Sequence, residues 1–145
     1  MKIKQAVILS GGLGSRLRPI TLRTPKPMVR IIGRPFLYHL IMQCKKNGIN
    51  NFLILCGYKH EQIKNYFKNG ENLGVKIDYN LNHQNTKTLN RIINAEKKLD
   101  SNFLLLYSDN YSSLNLHKIC EIYKKEKPSI LLTLSTISFF CDQLT

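Results

Sequence analysis

Ala6-Val7-Ile8-Leu9 is a continuous apolar run with no polar residue on either face, and it ends in Ser10-Gly11-Gly12. A strand that is apolar on both faces must be covered on both, which is the situation of a strand inside a parallel sheet. Strand signals return along the chain. Asn51 to Cys56 reads as a strand, Val75, Ile77 and Tyr79 alternate with Lys76 and Asp78, and Phe103-Leu104-Leu105-Leu106-Tyr107 reads as the most strongly buried strand. A last strand is expected around residues 130–134. Helical spacing fills the intervals. Pro35 opens a helix with Phe36, Leu37, Leu40, Ile41 and Cys44 on one face and Gly48 at its end, and a second helix carries Ile63, Tyr66 and Phe67 and closes at Gly70. A third is expected over Leu89, Ile92, Ile93, Glu96 and Leu99, and a fourth over Leu116, Ile119, Ile122 and Tyr123. This alternation predicts βαβ units with right-handed crossovers: an α/β fold on a mainly parallel sheet.

With 145 residues, 43% of them apolar, the chain reads as one domain over residues 1–145 with enough core to exclude intrinsic disorder. No apolar run approaches the length needed to cross a bilayer, and residues 6–10 are too short for a signal-peptide core. A cytoplasmic protein with no membrane partner is therefore expected. The 22 Lys and Arg against 9 Asp and Glu leave a formal charge of +13, which raises a polyanion-binding reading. The basic residues are dispersed, however. Their densest cluster, Lys124, Lys125 and Lys127, surrounds Glu126, and no Trp or RNA-recognition or zinc-finger signature accompanies them, so nucleic acid is not the expected partner. Cys44, Cys56, Cys120 and Cys141 have neither metal-knuckle nor disulfide-framework spacing and read as buried free thiols.

Ligands of open parallel sheets bind beyond the carboxyl ends of the strands. Two features fall at that edge. The first is the loop over residues 11–33, which holds Gly11, Gly12, Gly14 and Gly33 together with Pro19, Pro25 and Pro27. Glycines without Cβ let backbone N–H groups close on an anion, so the loop suits a phosphate cradle, although a purely structural turn has the same composition. It is neither a P-loop, which ends in Gly-Lys-Ser/Thr, nor GxGxxG, because Leu17 stands where the last glycine would be. Arg16 and Lys26 lie on this loop, the first able to grip two phosphate oxygens and the second a point charge whose backbone is fixed by Pro25 and Pro27. The second feature is Asp109, delivered at the end of the Phe103 run. It suits Mg²⁺ held jointly with substrate phosphates, or else the cap of the next helix.

Gly11-Gly12-Leu13-Gly14-Ser15-Arg16-Leu17-Arg18-Pro19, Thr21, Pro25-Lys26-Pro27-Met28 and Gly33-Arg34-Pro35-Phe36-Leu37 resemble the amino-terminal signature of the sugar-1-phosphate nucleotidyltransferases, or NDP-sugar pyrophosphorylases. The likeness continues through Gly57-Tyr58-Lys59-His60-Glu61, where it is nearest to the heptose- and mannose-1-phosphate guanylyltransferases, and reaches Asp109. The resemblance implies a Rossmann-like, GT-A-like three-layer sandwich and a transferase that joins an NTP to a sugar 1-phosphate with release of pyrophosphate. It implies that Leu9, Gly11, Gly12, Gly14, Ser15, Arg16, Lys26 and Thr88 bind the nucleotide and that Arg16, Lys26 and Asp109 are catalytic. Mg²⁺ is the implied cofactor, held by Asp109. The implied setting is supply of nucleotide sugars for surface polysaccharide or lipopolysaccharide, with homo-oligomers among the expected partners.

Three departures from the family pattern shape these expectations. Ser15 replaces the usual Thr and keeps the hydroxyl. The second glycine-rich segment, Leu-Gly-Thr-Ala/Gly-Gly-Ala in the family, aligns with Thr86-Lys87-Thr88-Leu89-Asn90-Arg91, so only Thr88 is retained and the choice of base is open. Members of the family are also usually much longer. Their later half supplies most of the sugar-phosphate pocket and a second metal-binding Asp, whereas residues 136–145 here form an atypical tail in which nothing supports giving Asp142 that role. A truncated product is one expectation, with apolar surface and a sheet edge left uncovered. The alternative function is a catalytically inactive nucleotide-binding module.

Overall fold

The computed structural model describes residues 3–112 and 115–133. Its centre is β1 (Gln5–Ser10), buried at every residue. The chain then runs through single 3₁₀ turns at Ser15–Leu17, Ile20–Leu22 and Lys26–Met28 into a short antiparallel pair, β2 (Arg30–Ile31) and β3 (Arg34–Pro35). Next come α1 (Phe36–Lys46), β4 (Asn51–Cys56), α2 (His60–Phe67), β5 (Lys76–Leu81), α3 (Thr88–Ile93), β6 (Phe103–Tyr107) and α4 (Leu116–Glu126). The expected punctuation holds. Pro35 sits at the start of α1, and Gly48 and Gly70, at φ 83° and 86°, take the left-handed conformation that ends α1 and follows α2.

The main sheet has the order β5-β4-β1-β6, and every pairing in it is parallel. From β1 the chain steps outward through β4 to β5, then crosses back to place β6 on the other side of β1. Right-handed crossovers require the helix of that return to lie on the opposite face. The core divides accordingly. Ala6, Ile8, Phe52, Ile54 and Cys56 pack on Leu37, Leu40, Ile41 and Cys44 of α1, Ile63 and Phe67 of α2, and Leu116 of α4. On the other face Val7, Leu9, Leu53 and Leu55 pack on Ala95, Ile92 and Leu99. Helical segments therefore cover both faces of the parallel sheet. Side chains such as Ile8, Leu53 and Ile54, with essentially no exposed surface, each contribute about 1.5–3 kcal/mol through burial.

Four expectations change. β6 is not the most buried strand: it has β1 as its one neighbour among the described residues, and Leu105 and Tyr107 are 41% and 54% exposed. The third helix stops at Ile93 and turns Leu89 and Ile93 outward while Arg91 points in, a reversal whose cause lies in the site below. Residues 130–133 form no strand, and Ile130 and Leu132 are exposed; without a ladder partner, extended backbone gains nothing over solvated chain, and Leu134 lies outside the described residues. Of the thiols, Cys44 and Cys56 are buried and Cys120 half-buried, while Cys141 and the 136–145 tail with Asp142 fall outside the described residues. Among those residues, no helix is long and apolar enough to cross a membrane.

Candidate functional site

Strand order reverses between β1 and β6, and at such a switch point the loops leaving two neighbouring strands part and open a crevice. A cleft of about 370 Å³ lies there. The parallel ladder carries on past β6, with the Ser108 N–H donating to the Leu9 carbonyl at 3.1 Å, so Asp109 is delivered beside the exit of β1. The loop from β1 folds back toward it. Lys26, opening the Lys26–Met28 turn behind Pro25 (φ −65°, ψ 145°), donates from Nζ to Asp109 Oδ2 at 2.6 Å. Both side chains remain about one-third exposed, so the pair sits in the cleft wall where a ligand can reach either partner.

Between β1 and Lys26 the loop is shaped by the buried Thr21. Thr21 is 1% exposed, and its Oγ1 donates to the Gly14 carbonyl at 2.9 Å while its own carbonyl accepts from the Tyr58 hydroxyl at 3.0 Å. Gly14 has φ 64°, and the Leu17 N–H also donates to its carbonyl at 2.9 Å. A Cβ at Gly14 would lie 3.0 Å from Thr21 Cγ2 and 3.2 Å from Lys26 Cβ, so glycine is required both by backbone conformation and by space. The N–H groups of Gly12, Leu13, Gly14, Ser15 and Arg16 donate to no acceptor among the described residues. A row of free amides beside Arg16 and Lys26 has the donors and the charge that suit an anion.

Arg91 closes the opposite wall. Only 4% exposed, it donates from Nε to Thr86 O at 3.0 Å and from one terminal nitrogen to Cys56 O at 2.8 Å. The other terminal nitrogen contacts Gly11 O at 3.2 Å, His83 O at 3.0 Å and Gln84 O at 2.9 Å. This explains why α3 presents Arg91 inward. The carbonyls of Gly11, Cys56, His83, Gln84 and Thr86 converge here; Gly11, Cys56 and His83 each accept one backbone N–H as well, and one guanidinium supplies the donors that remain. Burial lowers the Arg91 pKa from its ordinary value, yet guanidinium remains a cation at any physiological pH. The same environment pushes the Cys56 thiol up to about 12 by desolvation, and desolvation pushes Cys44 up to about 11.

Every residue singled out from the sequence lines this cleft: Leu9, Gly11, Gly12, Gly14, Ser15, Arg16, Lys26, Thr88 and Asp109. Sequence reasoning missed Ser10, Gln84, Thr86, Arg91, Tyr107 and Ser108. Ser10 and Ser108 follow from chain position, at the ends of β1 and β6. Ser10 Oγ is buried with no hydrogen-bond partner in the described residues. Arg91 had a weaker signal, a cation between Leu89 and Ile92 inside an apolar period. Among the described residues no three His, Cys, Asp or Glu side chains converge on a metal position, and Asp109 is the one carboxylate lining the cleft.

The profile described as "Nucleotidyl transferase" matches residues 5–138. The chain belongs to this family. As a nucleotidyl transferase it is 34% identical over 137 residues to D-glycero-alpha-D-manno-heptose 1-phosphate guanylyltransferase of Aneurinibacillus thermoaerophilus, covering 94% of this chain and 59% of that protein. A shorter match, 52% identical over 65 residues, covers 45% of the chain and 25% of the glucose-1-phosphate cytidylyltransferase of Salmonella typhimurium. The crystal structure of HddC from Yersinia pseudotuberculosis complexed with GMP-PN superposes with a TM-score of 0.74 at 32% identity, covering 83% of this chain and 54% of that one. This nucleotidyl transferase chain thus spans little more than half the length of such relatives.

Proposed function

We propose that the cleft between β1 and β6 binds a nucleoside triphosphate and that the protein joins it to a sugar 1-phosphate, releasing pyrophosphate. The observation that carries the reading is the convergence, from separate stretches of chain, of a row of free amides with Arg16, Lys26 and Asp109 in one cleft at the strand-order reversal. The names of the relatives, guanylyl- and cytidylyltransferases for heptose and glucose 1-phosphates, support nucleotidyl transfer to a sugar phosphate.

In the proposed reaction a phosphate oxygen of the sugar 1-phosphate attacks the α-phosphorus in line, a new O–P bond forms, and the bond to the oxygen bridging toward the β-phosphorus breaks. The attacking oxygen is already anionic, so no general base is needed, and the protein's task is positioning and charge stabilisation. Amides at Gly12, Gly14 and Ser15 hold phosphate oxygens, Arg16 takes the charge gathering on the departing pyrophosphate, and Lys26 follows the phosphates as charge moves. Thr88, at the start of α3, faces the base and ribose side of the same cleft. Asp109 fits Mg²⁺, because a single reachable carboxylate suffices when the triphosphate supplies the other hard oxygen ligands. When bound, the ion neutralises phosphate charge. With Asp109 holding the ion, Lys26 would be free to turn to the phosphates beside it.

Thermal unfolding against ATP, GTP, CTP, UTP and dTTP, with and without Mg²⁺, tests the reading. A ligand at 100 times its Kd stabilises by about 2.7 kcal/mol. One nucleotide giving a Mg²⁺-dependent shift that Asp109→Ala abolishes is the expected result. A cooperative transition unmoved by all five would overturn it. Pyrophosphate release in the presence of sugar 1-phosphates then separates transfer from binding alone, the distinction that matters for a chain spanning 59% of a relative's length.

A further inference from the structure

We infer that Arg91 is a positioning residue that aims the peptide between Gly11 and Gly12, holding the Gly12 amide open to the cleft for a nucleotide phosphate. The inference rests on the nucleotide-binding reading above. In a trans peptide the carbonyl and the following N–H point in opposite directions. The Arg91 terminal nitrogen holds the Gly11 carbonyl at 3.2 Å, with the Tyr58 N–H at 3.4 Å on the same oxygen, so the Gly12 N–H is turned away from both. That N–H has no acceptor among the described residues, and a Cβ placed on Gly12 would meet nothing within 4 Å. The open side of the peptide is therefore the side a ligand approaches.

The fit between Arg91 and the loop is close on both glycines. A Cβ on Gly11 would fall 2.1 Å from Arg91 Cζ, and one on Gly57 would fall 2.6 Å from the Gly11 carbonyl oxygen and 2.7 Å from an Arg91 terminal nitrogen, so the guanidinium and the carbonyl it holds occupy the space both side chains would need. Arg91 also makes no ion pair among the described residues, although it is 4% exposed. A buried cation whose partners are all neutral carbonyls leaves its charge uncompensated next to the phosphate loop, and bound phosphate supplies the missing negative charge. Arg91 reaches the ligand through the Gly11 carbonyl and through this field. It replaces neither Arg16 nor Lys26.

The experiment measures binding of pyrophosphate, GTP and CTP to the native chain, Arg91→Lys, Arg91→Met and the core variant Ile63→Val. Backbone ¹⁵N–¹H spectra follow the Gly12 resonance during the pyrophosphate titration. Lysine keeps the charge but cannot span all the carbonyls, so Arg91→Lys is expected to weaken pyrophosphate about tenfold or more, the scale of one lost charge-assisted contact, and to leave Gly12 unresponsive. Ile63→Val, destabilised in the core, is expected to bind as the native chain does, which separates aiming from general loss of stability. If Arg91→Met does not fold, Arg91→Lys alone decides. Pyrophosphate binding by Arg91→Lys within about twofold of native would overturn the inference, as would weakened GTP or CTP with pyrophosphate intact, which would move Arg91 to the base side. A native chain that binds none of the three would overturn the nucleotide reading and this inference with it, whereas a native chain that binds and an indifferent Arg91→Lys would overturn this inference alone.

Discussion

Gly12 and Gly14 stand two residues apart in one loop, yet the structure predicts very different costs for placing alanine at each. At Gly14 the backbone has φ 64°, where an L residue is strained by about 1–2 kcal/mol. The new Cβ would also lie 3.0 Å from Thr21 Cγ2 and 3.2 Å from Lys26 Cβ, and Thr21 is fully packed, so a further few tenths of a kcal/mol are expected from the forced adjustment. The sum is about 2 kcal/mol. At about 2–4 °C per kcal/mol for a chain of this size, Gly14→Ala lowers the midpoint by about 4–8 °C. Gly12 is not at positive φ and its Cβ meets nothing, so Gly12→Ala stays within about 0.5 kcal/mol of native. Differential scanning fluorimetry and urea unfolding on the pair provide the measurement. Equal midpoints for the two variants would refute the claim that the Thr21 contact and the left-handed backbone together shape this loop. A second consequence concerns binding: because Lys26 is one of the two neighbours that must give way, beside Thr21, Gly14→Ala is also expected to weaken nucleotide binding, by about tenfold if one charged contact is lost.

Asp109→Asn is expected to cost less than about 1 kcal/mol in stability, since it removes a partly exposed ion pair, but to lower turnover about 10²-fold or more, and parallel unfolding and pyrophosphate-release assays compare the two effects. Thr21→Val removes the hydroxyl bond to the Gly14 carbonyl, which keeps its bond from the Leu17 N–H, so a loss of about 1 kcal/mol in urea unfolding is expected rather than the larger cost of an orphaned carbonyl. Alkaline pH weakens the fold. The Cys56 and Cys44 thiols are raised from 9.0 to about 12 and about 11, so the unfolded chain releases their protons first; the stability they contribute is intact below pH 9 and falls as pH rises from there through the folded values. Unfolding midpoints at pH 8 and pH 10 check this, and Cys56→Ala is expected to flatten the dependence.

The elements legible in the sequence were those with punctuation or continuous burial. Residues 6–9, apolar on both faces, announced a central strand because no other arrangement hides both, and Pro35 and Gly48 bracketed α1 by conformation alone. Burial of Phe103-Leu104-Leu105-Leu106-Tyr107 was overestimated for a different reason. Apolarity specifies that a strand should be covered but not which neighbour covers it, and β6 has only β1 beside it among the described residues. At α3 the apolar period pointed the wrong way, since Leu89 and Ile93 set the expected face while the carbonyls of residues 11, 56, 83, 84 and 86 converge on the Arg91 guanidinium. The part of that demand set by residues 11 and 56 comes from segments distant in sequence and exists only once the sheet has formed, so the local pattern offers no more than a cation inside an apolar period.

The same reasoning bears on the meaning of the chain's charge. A formal +13 spread over 145 residues is a weak attractor at physiological ionic strength, where exposed charges are screened within about 8 Å. The cleft is different because Lys26 and Asp109 are in contact and only about one-third exposed and Arg91 is buried, while Arg16 remains exposed to an incoming ligand. Among the described residues Arg16, Lys26 and Arg91 line it against Asp109 alone, and Lys26 and Asp109 neutralise each other at 2.6 Å while no phosphate is present. The surplus left to the cleft is then carried by Arg16 and Arg91, with the free amides between them. A divalent ion on Asp109 would release Lys26 and raise that surplus, so metal and triphosphate are expected to bind better together than apart. The coupling is reciprocal by linkage: the factor by which Mg²⁺ tightens nucleotide must equal the factor by which nucleotide tightens Mg²⁺. Lys26→Met removes the cation that Asp109 must surrender, so it is expected to tighten Mg²⁺ in the absence of nucleotide while weakening the nucleotide itself, a pair of opposite shifts that calorimetric titrations of each ligand resolve.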